Sequence, residues 1–175
     1  IFSYSWQRSF LWWMWVIPPL RFNVKVMNNF ETTTTTHLAN NAAASTVKTA
    51  LVVDDEAALL PVYIEFLERV GYVATGVSNG AEAIAQMEQQ TYDLVLLDLR
   101  MPAKTGFEVL SEIRPNHPNT SIVMVSGCVS SEFAATALRL GADSYVAKPC
   151  SLGYLAERVQ YAQELRASAS NRINR

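Results

Sequence analysis

"YDLVLLDLRMPAKTG", Tyr92 to Gly106, carries a carboxylate directly after four apolar residues. Leu94-Val95-Leu96-Leu97 has no polar interruption, the pattern of a strand buried on both faces. Asp98 ends the run, Met101-Pro102 follow, and Gly106 lies four residues past the proline. An uncompensated carboxylate at the end of such a strand is costly, so Asp98 calls for a partner. The proline and glycine turn the chain away without covering it.

Outward from this stretch the same alternation repeats. "ALVVDD" (Ala50–Asp55) is an apolar run that also ends in acids. Leu59, Val62, Tyr63 and Phe66 then fall at i, i+3, i+4 and i+7, which predicts one face of a helix ending before Gly71. Pro61 suits that helix only in its first turn, where a missing N–H matters little. "YVATGV" reads as a second strand, and Ala81 to Gln89 as a helix after the Asn79-Gly80 turn. Phe107 to Ile113, Ser131 to Leu140 and Leu152 to Leu165 read as helices. "SIVMVSG" and "DSYVAKP" read as strands four and five. Five βα units predict an α/β domain with a doubly wound, mostly parallel sheet covered by helices on both faces.

Composition agrees with one packed domain and tails. Half of the 175 residues are hydrophobic and 17% are charged. From Lys48 to Arg166 there are nine basic and fifteen acidic residues, a net of −6. That balance argues against a surface for nucleic-acid phosphates, and no direct nucleic-acid partner is expected. Cys128 and Cys150 make no disulfide framework and fit a reducing cytoplasm. Residues 1–47 differ from the rest: Trp6, Trp12, Trp13 and Trp15 crowd the start. The apolar run Phe10–Ile17 is eight residues long, well short of the roughly 17–25 that span a bilayer. Met27 opens a polar Thr/Ala/Asn-rich leader, so residues 1–26 are read as upstream of the true start, with a membrane-touching or partner-binding segment and a piece of a longer protein as the alternatives. The expected divisions are therefore a tail over 1–47, a domain over 48–166 and a tail over 167–175.

In a doubly wound sheet ligands bind at the carboxyl ends of the strands. There the pattern places Asp54, Asp55 and Glu56 after strand one, Asp98 after strand three, Ser126 ending strand four, and Lys148-Pro149 after strand five. Taken alone, the first three could simply cap the following helix, Ser126 could be a turn residue, and Lys148 a solvated loop lysine. Together, several carboxylates on one sheet end repel one another. Oxygen donors without His or Cys point to Mg²⁺ rather than Zn²⁺ as the ion that relieves this.

From about Thr49 to Leu165 the chain resembles the receiver domain of two-component response regulators, with the chemotaxis-regulator fold. The resemblance rests on Asp54-Asp55, "LVLLDLRMP" with Gly106, Ser126 and Lys148-Pro149 in that order. Their spacings are 43 residues from Asp55 to Asp98, 28 on to Ser126 and 22 on to Lys148. It implies a strand order of 2-1-3-4-5 and a phosphoacceptor role for Asp98, fed by a histidine kinase or phosphotransfer protein. It further implies Mg²⁺ held by Asp55, Asp98 and the Arg100 carbonyl, with Asp54 acting mainly through water. Lys148 would contact the phosphoryl oxygens, Ser126 and Tyr145 would form the switch, and a downstream protein would bind the surface of helix four, strand five and helix five. Lys148-Pro149 is usually a cis peptide bond in the family. Arg100 and Cys128 flank the acceptor where the family tunes phosphate lifetime, and a long cationic Arg100 would shield the phosphate. Cys128 and Cys150, on neighbouring strands, are one candidate redox pair.

The implied protein is a signalling protein rather than an enzyme, either stand-alone or the receiver of a hybrid kinase or multidomain regulator. A pseudo-receiver usually loses an acid or the lysine, and all are kept here. A haloacid-dehalogenase-like phosphatase would carry D-x-D-x-T after strand one, where this chain has "DDEAA". A flavodoxin-like carrier would need a Ser/Thr/Gly-rich phosphate loop there, which is missing.

Overall fold

A computed structural model describes residues 47–173. The Trp-rich segment, the polar leader and Met27 lie outside the described residues. The elements alternate: β1 (Lys48–Val53), α1 (Leu60–Arg69), β2 (Tyr72–Val77), α2 (Gly80–Gln89), β3 (Leu94–Leu97), α3 (Gly106–Ile113), β4 (Ser121–Ser126), α4 (Ser131–Arg139), β5 (Ser144–Ala147) and α5 (Leu152–Ile173). All five strands pair in parallel in the order β2-β1-β3-β4-β5, as expected.

Strand alternation sorts the apolar residues into two cores. Leu51, Val53, Val95, Leu97, Ile122 and Met124 face α2 and α3, which contribute Met87, Val109, Leu110 and Ile113. Val52, Leu94, Leu96, Val123, Val125 and Val146 face α1 and α5, which contribute Tyr63, Phe66, Leu67, Leu155 and Val159. All four residues of β3 are buried, as the uninterrupted run required. Cys128 packs against the first core and Cys150 against the second, and both are free thiols. The candidate redox pair is therefore split between the two faces of the sheet.

Local chemistry sets the helix starts. Pro61 sits in the first turn of α1, whose N-cap Leu59 makes no side-chain cap bond. Asp54, Asp55 and Glu56 therefore do not cap it. Asn79 caps α2 by accepting from the Glu82 N–H at 2.9 Å. Thr105 and Glu108 form a reciprocal capping box at α3. Those bonds from Thr105 hold the Glu108 carboxyl below its ordinary pKa. Gly71 follows α1 at φ +96°, a conformation that suits glycine.

Two expectations need correction. Val62 was placed on the buried stripe of α1, but it is 44% exposed and Leu67 is buried instead. The buried face of α1 centres on Tyr63, Phe66 and Leu67, about a quarter of a turn from Val62's direction. The last helix was expected to stop at Leu165, but α5 runs to Ile173. Its added turns have anchors rather than an apolar stripe. Arg166 donates to the Pro118 and Gly141 carbonyls at 3.1 and 3.2 Å, and Ser170 donates to Asn119 at 3.1 Å. Arg166 Nε also lies 2.7 Å from Asp143, a buried carboxylate that accepts the Ile122 N–H.

Candidate functional site

Strand register explains why the polar residues meet. Val53 pairs with Leu97, so Asp54 and Asp98 emerge side by side. The Asp98 N–H still donates to the Val53 carbonyl at 2.8 Å, extending the ladder to Asp98 itself. Ser126 pairs with Ala147, and the Lys148 N–H donates to the Ser126 carbonyl at 2.7 Å. The Lys148-Pro149 bond is cis, as the resemblance implied.

At the centre Lys148 Nζ donates to Asp54 Oδ2 at 2.6 Å and to Asp98 Oδ1 at 2.9 Å. Both carboxylates are buried. Asp98 Oδ2 accepts the Arg100 backbone N–H, and Asp54 Oδ1 accepts the Glu56 N–H at 3.0 Å. Burial works against the Lys148 ammonium, but its bonds to Asp54 and Asp98 outweigh it and raise the pKa. Burial raises the Asp98 carboxyl above its ordinary value, Lys148 opposes the rise, and the Asp54 charge adds to it. An ordinary ion pair would lower its acid while raising its base. Here one ammonium serves two carboxylates, so Lys148 gains two partners while Asp98 gains a share of one.

A buried excess of negative charge therefore remains, and every donor is oxygen. That chemistry fits a hard divalent cation at Asp98. Among the described residues, however, no group of three or more His, Cys, Asp or Glu side chains stands at metal-holding spacing. Asp55 is exposed and makes no hydrogen bond or ion pair there, so it is not gathered with Asp54 and Asp98. Lys148 takes the central position between them.

Around this core, Ser126 is fully buried and its hydroxyl accepts the Cys128 N–H at 3.3 Å. The Tyr145 hydroxyl donates to the Cys128 carbonyl at 2.7 Å, and burial raises its pKa. Arg100 is exposed, with its guanidinium lying 3.5 Å from where a Cβ on Gly127 would stand. One neighbour of Lys148, Tyr63, escaped the sequence reading. The Lys148 ammonium lies 6.0 Å from the centroid of the Tyr63 ring, a phenol that burial pushes up to about 12 against the Lys148 charge. Glu56 lies 3.9 Å from Lys148. Tyr63 was legible only as a core residue, because nothing in its spacing marks a ring under an ammonium.

The loop after Asp98 is strained. Ala103 takes φ +65°, and the Lys104 N–H donates to the Pro102 carbonyl at 2.8 Å, a γ-turn around a left-handed alanine. Ala103→Gly should therefore raise stability by about 0.5–1 kcal/mol despite glycine's looser unfolded chain. Urea denaturation would show it, and an unchanged or lower midpoint would count against stored strain.

Asp98→Asn should also stabilise the protein, by about 1 kcal/mol near neutral pH. An acid whose folded pKa is raised contributes stability below its unfolded pKa and loses it as pH rises through the folded value. The gain from Asn should thus be largest at pH 7 and shrink towards pH 4. Thermal melts of both proteins across that range test the sign.

A family model described as the response regulator receiver domain matches residues 50–160. The chain belongs to the response regulator receiver family. The receiver is 37% identical over 101 residues to the alginate biosynthesis transcriptional regulatory protein AlgB of Pseudomonas syringae pv. tomato, covering 58% of this chain and 22% of that one. It thus spans under a quarter of that regulator's length. Among solved structures it is similar to a CheY-like receiver domain protein of Methanospirillum hungatei, with TM-score 0.66, 29% identity, and coverage of 70% of this chain and 98% of that one. It is also similar to the response regulator TrrA of Thermotoga maritima, solved in complex with Mg²⁺-BeF, with TM-score 0.60, 33% identity, and coverage of 66% and 98%. Receivers of this family are signalling domains of two-component systems and are generally not classed as enzymes.

Proposed function

We propose that this receiver accepts a phosphoryl group on Asp98 from a histidine kinase or phosphotransfer protein and passes the change to a downstream protein. The observation that carries this is Asp98 itself, a buried carboxylate at a strand end sharing Lys148 with Asp54. An Asp98 oxygen attacks phosphorus, the O–P bond forms as the P–N bond to the donor imidazole breaks, and the imidazole leaves with the electron pair. Lys148 holds a positive charge where the phosphoryl oxygens arrive, which offsets charge developing there. Asp55, turned in from its exposed position, would hold Mg²⁺ together with Asp98 and the Arg100 carbonyl, with Asp54 acting through water, and the ion would supply further charge neutralisation there. Arg100 screens the mouth from water and lengthens the signal.

Output then follows from packing. Once phosphate is in place, the Ser126 hydroxyl turns to donate to it and gives up the Cys128 N–H. Tyr145, now bonded to the carbonyl of the same Cys128, moves with that loop. Only Ala137 of α4 is fully buried, so α4 is the element that can shift at least expense to the cores. A groove of about 540 Å³ between α4 and α5, lined by Ser130, Tyr145, Pro149, Cys150, Ser151 and Tyr154, receives the partner. The acidic body speaks for a protein partner at this face rather than nucleic acid. The site is cytoplasmic in this reading, and no helix among the described residues is long and apolar enough to cross a membrane. The AlgB relative, matched over 22% of its length, favours a receiver working within a longer regulator.

Incubation with Mg²⁺ and acetyl phosphate, followed by intact mass, tests the acceptor. The expected result is one phosphate adduct that is lost in Asp98→Asn. Absence of an adduct from both a small donor and a kinase would instead make this a pseudo-receiver.

A further inference from the structure

The helix that follows the Asp98 loop touches α4 at a point the switch residues do not use. Phe107 on α3 and Phe133 on α4 stack with ring centroids 6.0 Å apart and planes 28° from parallel. Phe107 packs against the core shared with α2 and α3, whereas Phe133 is 41% exposed. The C-terminal half of α4 is held by Ala137, with Leu140 packing beyond it. Phe133 is the large apolar side chain of its N-terminal half, and it meets α3 through this stack.

Phe107 is also fixed to the acceptor through the backbone. Its neighbour Gly106 lies so near β3 that a Cβ there would stand 2.1 Å from the Asp98 carbonyl oxygen and 2.9 Å from Leu99 Cα. The Gly106 N–H donates to the Leu99 carbonyl at 2.9 Å. Any displacement of Asp98–Leu99 must therefore move Gly106, and the Phe107 ring with it, because close-packed backbone transmits rather than absorbs strain. On the other side of the mouth, the Arg100 guanidinium lies 3.5 Å from where a Cβ on Gly127 would stand, in the loop between β4 and α4.

We propose that the Phe107–Phe133 stack is a latch coupling Asp98 to α4 by a route separate from Ser126 and Tyr145. The coupling half rests on the phosphoacceptor reading, while the latch itself stands on the resting geometry. In the resting state the stack holds the N-terminal half of α4 against α3. When the loop after Asp98 adjusts to a phosphoryl group, Phe107 moves and the hold on Phe133 weakens. Neither ring touches the reacting atoms, so both are positioning residues for α4.

Hydrogen exchange by mass spectrometry over Ser131–Arg139 tests this on the whole chain, with intact mass of the same samples reporting the phosphate adduct. In unphosphorylated protein, Phe133→Ala and Phe107→Ala should each speed α4 exchange by about two- to tenfold, the range of one aromatic pair. The double variant should exceed neither by much, and Phe133→Tyr should retain parent protection. Phe107→Leu covers the case in which Phe107→Ala fails to fold. With acetyl phosphate, Phe133→Ala should take the adduct as the parent does, yet lose most of the further change in α4. Additive single variants would overturn the latch, as would resting exchange indifferent to Phe107. An adduct in Phe133→Ala with the parent's full α4 response would overturn the coupling. No adduct in the parent would remove the coupling together with the acceptor reading, leaving the resting-state arm to decide the latch.

Discussion

Gly106→Ala should destabilise the protein by about 3 kcal/mol or more and misplace the Asp98 carboxylate. Its Cβ would stand 2.1 Å from the Asp98 carbonyl oxygen and within 3.0 Å of the Asp98 carbonyl carbon. Both are backbone atoms, so no side-chain rotation relieves the overlap. The carbonyl belongs to the residue that follows β3, whose N–H is bonded to β1, so yielding there means breaking the ladder that sets Asp98 beside Asp54. Gly153→Ala is the control, because its Cβ would meet only the Ser151 hydroxyl oxygen, at 4.0 Å. Urea denaturation of the pair should separate them widely. Midpoints within experimental error of each other would show that the loop can retreat from β3, against the packing described here.

Lys148→Met should have the next largest effect, a loss of about 3–5 kcal/mol at neutral pH in the absence of divalent metal. It leaves Asp54 and Asp98 buried next to each other with no ammonium between them. Burial already raises the Asp98 carboxyl, and removing Lys148 takes away the charge that opposes the rise. The stabilising contribution of such an acid is complete below its unfolded pKa and disappears as pH rises through the folded one. The deficit relative to the parent should therefore be small near pH 4 and large near pH 7. Added Mg²⁺ should recover part of it at pH 7 by taking over the charge balance, while phosphorylation remains slow for want of the cation at the phosphoryl oxygens. A deficit of equal size at both pH values would mean that Lys148 contributes through packing, including its contact with Tyr63, rather than charge.

The fold was readable because burial leaves few ways to write a central strand. Leu94–Leu97 could only be a strand closed on both faces, and five such units with helices between them dictate a parallel sheet. The gathering of Asp54, Asp98, Ser126 and Lys148 at one sheet end was readable for the same reason, since each ends or follows a strand. What escaped was settled by register and side-chain direction. No spacing rule shows that Lys148 reaches Asp54 and Asp98 while Asp55 stays exposed. Ala103 carries no mark of a left-handed backbone, because the signal for that conformation is glycine or asparagine and the position has neither. The last turns of α5 read as a polar tail because "ASASNRI" has no apolar period. They are held instead by Arg166 and Ser170 against distant carbonyl and amide oxygens, contacts that exist only once the chain has folded.

The shallow seating of α4 has a consequence for how such domains diversify. Apart from Ala137, every position from Ser131 to Arg139 lies at or near the surface, so substitutions there spare both cores and the carboxylate cluster. On the proposed reading, duplicated copies of such a domain would drift apart in whom they address while the chemistry at Asp98 stayed fixed. Insulation between pathways sharing one chemistry would then be written in a single, replaceable helix.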